Sequence, residues 1–175
     1  MWAETMENGI WKMVSDMPFE NDMVKYSEDY RNRPYFGRNY EFFSLLADVR
    51  NSYGIVPISK PRGIPSDASH GYLHQVESME GDGHSHSYFT LAELKRVDTA
   101  ILEQEFHDGR LIVAKDENGK IIETCSWTTR ETMGEVGTRK LFSLWGDNPL
   151  KNLIANLELL GKENEEVRIV FFFDN

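Results

Sequence analysis

The chain of 175 residues holds a single cysteine, Cys125, so no disulfide can close within it and no thiolate-rich zinc site can be built. Such sparing use of cysteine fits a reducing compartment, and Cys125 itself, in a predicted strand with no basic neighbour, reads as a small buried side chain. Basic residues are also scarce. The 19 Lys and Arg are outnumbered by 29 Asp and Glu, and the formal charge of −10 repels a phosphate backbone, which argues against direct nucleic-acid binding. No run approaches the roughly 18–20 apolar residues that span a bilayer, and the first residues lack a basic segment leading into an apolar stretch. An intracellular soluble protein without membrane contact is expected, with a small ligand or a basic-faced protein as partner. Internal repeats, low-complexity tracts and composition breaks are missing as well. At a scale of roughly 100–200 residues per domain, one domain over 1–175 is expected.

What is present is strong local punctuation. Asn8-Gly9 between the apolar-rich runs 2–6 and 10–14 predicts a β-hairpin, because both turn residues tolerate positive φ. Asp116-Glu117-Asn118-Gly119 between 110–115 and 120–128 predicts a second. Phe42, Phe43, Leu45, Leu46, Ala47 and Val49 recur at three- and four-residue spacings, predicting a core helix over 38–50. Ser66 or Asp67 is placed to cap a helix over 68–80, and Thr90 with Glu93 forms a capping box for another. Asn148 and Pro149 start a helix whose stripe is Leu150, Leu153, Ile154, Leu157 and Leu160, with Gly161 ending it. The nearly all-apolar run 167–173 reads as a strand covered on both faces, in the middle of the sheet. The stretch 17–34, crowded by Glu20, Asp22, Glu28 and Asp29, reads as an acidic loop or excursion. The expected fold class is therefore α+β: a single domain with a mixed or antiparallel sheet, two hairpins and about four helices.

The densest chemistry lies in Gly81-Asp82-Gly83-His84-Ser85-His86-Ser87, which precedes Tyr88 and places two of five histidines in an expected loop between helices. Two imidazoles at i and i+2 share one face of an extended segment, so His84 and His86 can hold zinc if Asp82 or His74 completes the set. They are also the candidate catalytic residues, although a two-histidine phosphoesterase needs a second His-x-Ser element, and His107 has no hydroxyl two residues on. A plainer reading has these side chains satisfying helix ends. A fourth makes the run one wall of a phosphate or ribose pocket. Arginine supplies the charge for that pocket. The candidate ligand-binding residues are Arg38, Arg50, Arg62, His84, Ser85, His86, Ser87 and Tyr88, with Arg62 foremost because flanking prolines hold it at low entropic cost. Arg31 and Arg33 lie nearby in sequence, and Tyr30, Tyr35 and Tyr40 add stacking surfaces. No resident metal or cofactor is expected.

Arg38-Asn39-Tyr40 with Phe42, Leu45 and Ala47-Asp48-Val49-Arg50, then Pro57-Ile58, Pro61-Arg62-Gly63-Ile64-Pro65, His84-Ser85-His86-Ser87 with Thr90-Leu91, and Val167-Arg168-Ile169-Val170-Phe171 before Asp174-Asn175, resemble a family of small proteins encoded by tailed bacteriophages. The resemblance covers most of the chain from Arg38 onward; the acidic stretch 17–34 has no place in it. It implies a phage protein acting in the host bacterial cytoplasm, and it supplies no catalytic residues. The expected function is capture of a host nucleotide or other phosphate-containing ligand, in a role that counters antiviral signalling. The alternatives are a His-dependent or metal-dependent phosphohydrolase or transferase, and an acidic inhibitor of a host protein. Binding is preferred because catalysis needs a second positioned group. A homo-oligomer is compatible with the exposed aromatics.

Overall fold

Asn8 and Gly9 adopt φ of 52° and 77°, which closes a two-residue turn and sets Glu7 directly opposite Ile10. The hairpin of β1 (Trp2–Glu7) and β2 (Ile10–Met13) is thus the one the sequence announces. The computed structural model describes residues 1–19, 30–125, 135–143 and 148–174, so Glu20, Asp22, Glu28 and Asp29 of the expected acidic excursion lie outside the described residues, as do 126–128 at the end of the second hairpin. Helix α1 (Tyr40–Ala47) begins where Asn39 Oδ1 accepts from Phe42 N at 3.1 Å. It ends at Asp48, whose φ of 57° is tolerable for a short polar side chain. As its apolar pattern demands, it buries most of its circumference. Helix α2 (His70–Ser78) is capped by Ser69, not by Ser66 or Asp67, because the Asp67 carboxylate is taken by Arg168 and Trp11.

Strand β3 (His84–Thr90) is the chief departure from expectation: the histidine run is a strand and not a loop between helices. Its registry against 167–173 places Phe89 in the core, and that burial outweighs the weak strand preference of the histidine and serine residues. Helix α3 (Leu91–Lys95) then starts with the expected capping box, Thr90 Oγ1 accepting from Glu93 N while Glu93 Oε2 accepts from Thr90 N. The one-turn α4 (Thr99–Leu102), capped by Asp98, raises the described α-helices to five. Strands β4 (Glu105–Lys115) and β5 (Ile121–Cys125) form the second expected hairpin, and β6 (Glu135–Lys140) adds an unforeseen third strand. Helix α5 (Pro149–Glu158), capped by Asn148, and β7 (Val167–Phe173) follow as read.

All strand pairs are antiparallel, in one sheet ordered β2-β1-β7-β3 and another ordered β5-β4-β6. The α+β class is therefore as expected, with antiparallel rather than mixed sheets. In β7 alternate residues divide two packed faces. Val167, Ile169 and Phe171 join Phe42, Leu45, Leu91 and Leu153 on one side, while Val170 packs with Trp2 and Tyr72 on the other. The same central core contains Phe106, Leu141 and Phe142, which border the second sheet. Two buried arginines tie these layers. Arg168 Nε donates to Glu4 Oε2 at 2.6 Å and Nη1 to Asp67 Oδ1 at 2.7 Å, and its guanidinium lies over Trp11 at 4.0 Å. Arg139 on β6 binds Asp108 of β4 at 2.6 Å and forks onto both carboxylate oxygens of Glu41 on α1.

Candidate functional site

A β-bulge decides what the histidine run can do. His84 pairs with Phe173 and Ser87 with Phe171, so β3 carries one extra residue there, and Ser85 sits at φ 53°. The rings consequently diverge. His84 lies 6.3 Å from Phe173 and His86 lies 5.3 Å from Phe172, two neighbours whose side chains alternate across the sheet. The chelating pair expected of an unbroken extended segment does not form, and among the described residues no group of three His, Cys, Asp or Glu gathers to hold a metal.

The other polar atoms of the run are engaged within the fold. Tyr72 donates its only hydroxyl hydrogen to Phe171 O at 3.0 Å, so His86 Nδ1, 3.2 Å from Tyr72 Oη, is the donor to that hydroxyl. Ser85 Oγ lies 2.9 Å from His84 Nδ1. Ser87 is buried, and its Oγ accepts from Arg62 N while Gly63 N donates to His86 O at 2.8 Å. The Pro61–Pro65 loop thereby covers the free edge of β3, where an open ladder invites aggregation. Burial lowers the His86 pKa, opposed by the Gly83 backbone and reinforced by the charge of His84. The unfolded chain, with an ordinary His pKa near 6.5, takes up this proton first. Stability contributed by neutral His86 is complete above about pH 6.5 and falls as pH drops toward the depressed folded value. The thermal unfolding midpoint is expected to fall as pH drops from 7.5 to 5.5, and His86→Gln should flatten that slope; equal slopes would remove His86 as its cause.

Arg62 is held as well. Its Nη1 meets Glu93 Oε1 at 2.8 Å and its guanidinium lies 4.4 Å from the Phe89 ring centroid, with Tyr88 at 5.6 Å. Burial alone would raise the Glu93 carboxyl, but hydrogen bonds from Thr90 and Arg62 outweigh it and hold its pKa below the ordinary value. Arg62 therefore serves the α3 cap. Arg31 and Arg96 also face carboxylates, Asp16 at 3.6 Å and Glu165 at 3.4 Å.

Three arginines differ. Arg38 Nε and Arg50 Nη1 both donate to Tyr40 Oη, at 2.9 and 3.1 Å, with their guanidinium carbons 5.5 and 5.1 Å from that ring. Arg33 stacks over Trp2 at 5.4 Å and Tyr30 at 5.6 Å, and its buried Nε has no hydrogen-bond partner. None of the three pairs with a carboxylate among the described residues. In a chain of net charge −10, cations left without counter-charges mark the place where an anion is welcome.

Arg33 and Arg38 line one cleft of about 270 Å³ at the end of β7, together with Tyr35, Phe43, Phe173 and Asp174. The Tyr35-Phe36-Gly37 segment also borders a second cleft of about 410 Å³, closed by Pro34, Asn39, Pro149, Asn152 and Asn156. A Cβ on Gly37 would lie 2.5 Å from Tyr35 Oη, so only glycine lets that ring occupy its place between the clefts. Phe42 holds the ring from the core side, edge-on at 4.9 Å. The structure thus brings Arg38 and Arg50 together at Tyr40, and links His84 to the cleft rim through Phe173 and Phe43, which meet at 4.9 Å. His86 reaches the same rim through Phe172, at 5.3 Å, whereas Arg62, Ser87 and Tyr88 do not line the cleft. Asn39, Asn152 and Asn156 carry no motif; the compact Pro34-Tyr35-Phe36-Gly37 run was the available signal. No protein family, curated protein or solved structure matches the chain.

Proposed function

We propose that this protein captures a small phosphate-bearing ligand of the nucleotide class in the cleft beside Arg33 and Arg38. The carrying observation is Arg33: a guanidinium that pairs with no carboxylate among the described residues, its buried Nε without a hydrogen-bond partner among them, bordering an open cleft. Burying a charged donor unpaired is costly, and a phosphate oxygen relieves the cost through charge-assisted hydrogen bonds. Arg38, steadied by Tyr40, adds a second guanidinium, and Arg50 reinforces the local potential. Tyr35 and Phe43 offer faces on which a ring can stack. Asp174 on the same cleft suits sugar hydroxyls, to which a carboxylate is an acceptor.

Binding rather than turnover is favoured by the divergence of His84 and His86, which leaves no paired acid and base at the cleft. On the resemblance to small phage proteins, such capture lowers the free level of a host nucleotide, and a nucleotide that signals infection is the consequential target. Heat release tests the reading. The protein incubated with a nucleotide panel should return an intact nucleotide on denaturation, and Arg33→Gln should weaken retention by about 10–100-fold, the equivalent of one charged hydrogen bond. A chemically altered nucleotide would replace capture by catalysis, and no retention of any nucleotide would sink both.

A further inference from the structure

The second cleft has a different chemistry from the first. Among the described residues its lining contains no charged side chain: Pro34, Tyr35, Phe36 and Pro149 supply flat apolar surface, and asparagines supply the polar atoms. That combination does not recognise an anion. It suits a neutral heterocycle, whose faces stack on aromatic and proline rings and whose edge needs one donor or acceptor at a set position.

Asn156 sets that position. Its Nδ2 donates to Pro34 O at 2.9 Å, and a carbonyl can only accept, so the carboxamide orientation is determined. Oδ1, on the other side of the group, has no partner among the described residues and is the acceptor that Asn156 offers beside the cleft. An acceptor selects a hydrogen-bond donor. On a nucleobase the discriminating donor is an exocyclic amine, carried by adenine and cytosine and replaced by a carbonyl in hypoxanthine and uracil. Asn39 offers less, since its Oδ1 already caps α1 through Phe42 N.

We propose that the asparagine-lined cleft is the base subsite of the same ligand, and that the ligand is a nucleoside polyphosphate whose base carries an exocyclic amine. The assignment rests on the phosphate reading of the Arg33 and Arg38 cleft. The two clefts adjoin through Tyr35, Phe36 and Gly37, so one molecule reaches both with its sugar passing that segment. The asparagine-lined cleft, at about 410 Å³, already lies within the roughly 300–1,000 Å³ range of small-molecule sites, and the adjoining cleft of about 270 Å³ enlarges it toward the size a nucleotide needs. Arg33 and Arg38 on the cleft, with Arg50 beside them at Tyr40, pair with no carboxylate among the described residues and call for more than a single phosphate.

Calorimetric titration of the full chain with pyrophosphate and with adenosine, inosine, cytidine and uridine diphosphates tests this. The amine-bearing diphosphates should bind about tenfold or more tightly than their carbonyl counterparts and than pyrophosphate, a discrimination typical of one buried hydrogen bond. Asn156→Leu should erase the preference while leaving pyrophosphate affinity unchanged. Because that substitution also removes the bond to Pro34, Phe36→Ala at the exposed ring is the second variant, expected to weaken the nucleotides and spare pyrophosphate. Pyrophosphate binding as tightly as every nucleotide would overturn the base subsite and leave the phosphate reading standing. Absence of binding by all five compounds would overturn both.

Discussion

Arg168→Leu is expected to destabilise the fold by about 3–5 kcal/mol, because it strands a buried carboxylate rather than because it removes an attraction. Glu4 is fully buried on β1, and in the wild type its two oxygens are divided between Arg168 Nε at 2.6 Å and Ser69 N at 2.9 Å. Arg168 also holds Asp67 through Nη1 and through the Asp67 backbone carbonyl, so one guanidinium joins β7, β1 and the entry to α2. Leucine fills much of the volume but leaves Glu4 charged in an apolar layer with a single hydrogen bond. Against a total stability of about 5–15 kcal/mol this is a large fraction, and urea unfolding at pH 7 should show it as a fall in midpoint with little change in slope. The double variant Glu4→Gln/Arg168→Leu should recover a substantial part. If the single variant cost no more than an exposed substitution, within about 0.5 kcal/mol, the buried-charge account would be wrong.

Phe42→Ala is expected to cost about 3–5 kcal/mol and to weaken ligand retention as well. Phe42 is fully buried on α1, with its ring edge-on to Tyr35 at 4.9 Å and to Phe142 at 6.2 Å. Truncation leaves a cavity in the central core and loosens the Tyr35 ring that separates the two clefts. A core variant that leaves the Phe42–Tyr35 ring contact in place serves as the control: Leu157→Ala on α5 should cost about 2–5 kcal/mol while keeping ligand affinity in the folded fraction. Equal loss of affinity in both variants would mean that Tyr35 is not the link.

Local readings held where the chemistry is local. The Asn8-Gly9 turn, the Thr90 and Glu93 capping box, and the Asn148-Pro149 helix start each depend on residues within four positions of one another. The long apolar run at the C-terminal side could be placed in the middle of its sheet because covering both faces of a strand requires such a sequence. β6 and α4 escaped notice for the opposite reason. Glu135-Val136-Gly137-Thr138-Arg139-Lys140 has little apolar content, and its strand is defined by pairing with β4 and by the Arg139 contacts to Glu41 and Asp108.

The candidate site divides along the same line. Composition alone established an acidic chain with one cysteine and a limited set of arginines, and the only ranking the sequence offered, Arg62 in its Pro-flanked loop, rested on local rigidity. Arg62, favoured by its rigid loop, is neutralised by Glu93, 31 residues away in the chain. Arg33, in an unremarkable stretch, meets no carboxylate among the described residues. The histidine run, the most conspicuous feature of the sequence, is split by one bulge at Ser85. Both hairpin turns, the caps of α3 and α5, the apolar faces and the net charge were legible in the chain, since these follow from neighbouring residues or from composition. Which charges cancel and which side chains share a cleft emerges with folding, because both depend on contacts between residues far apart in the chain.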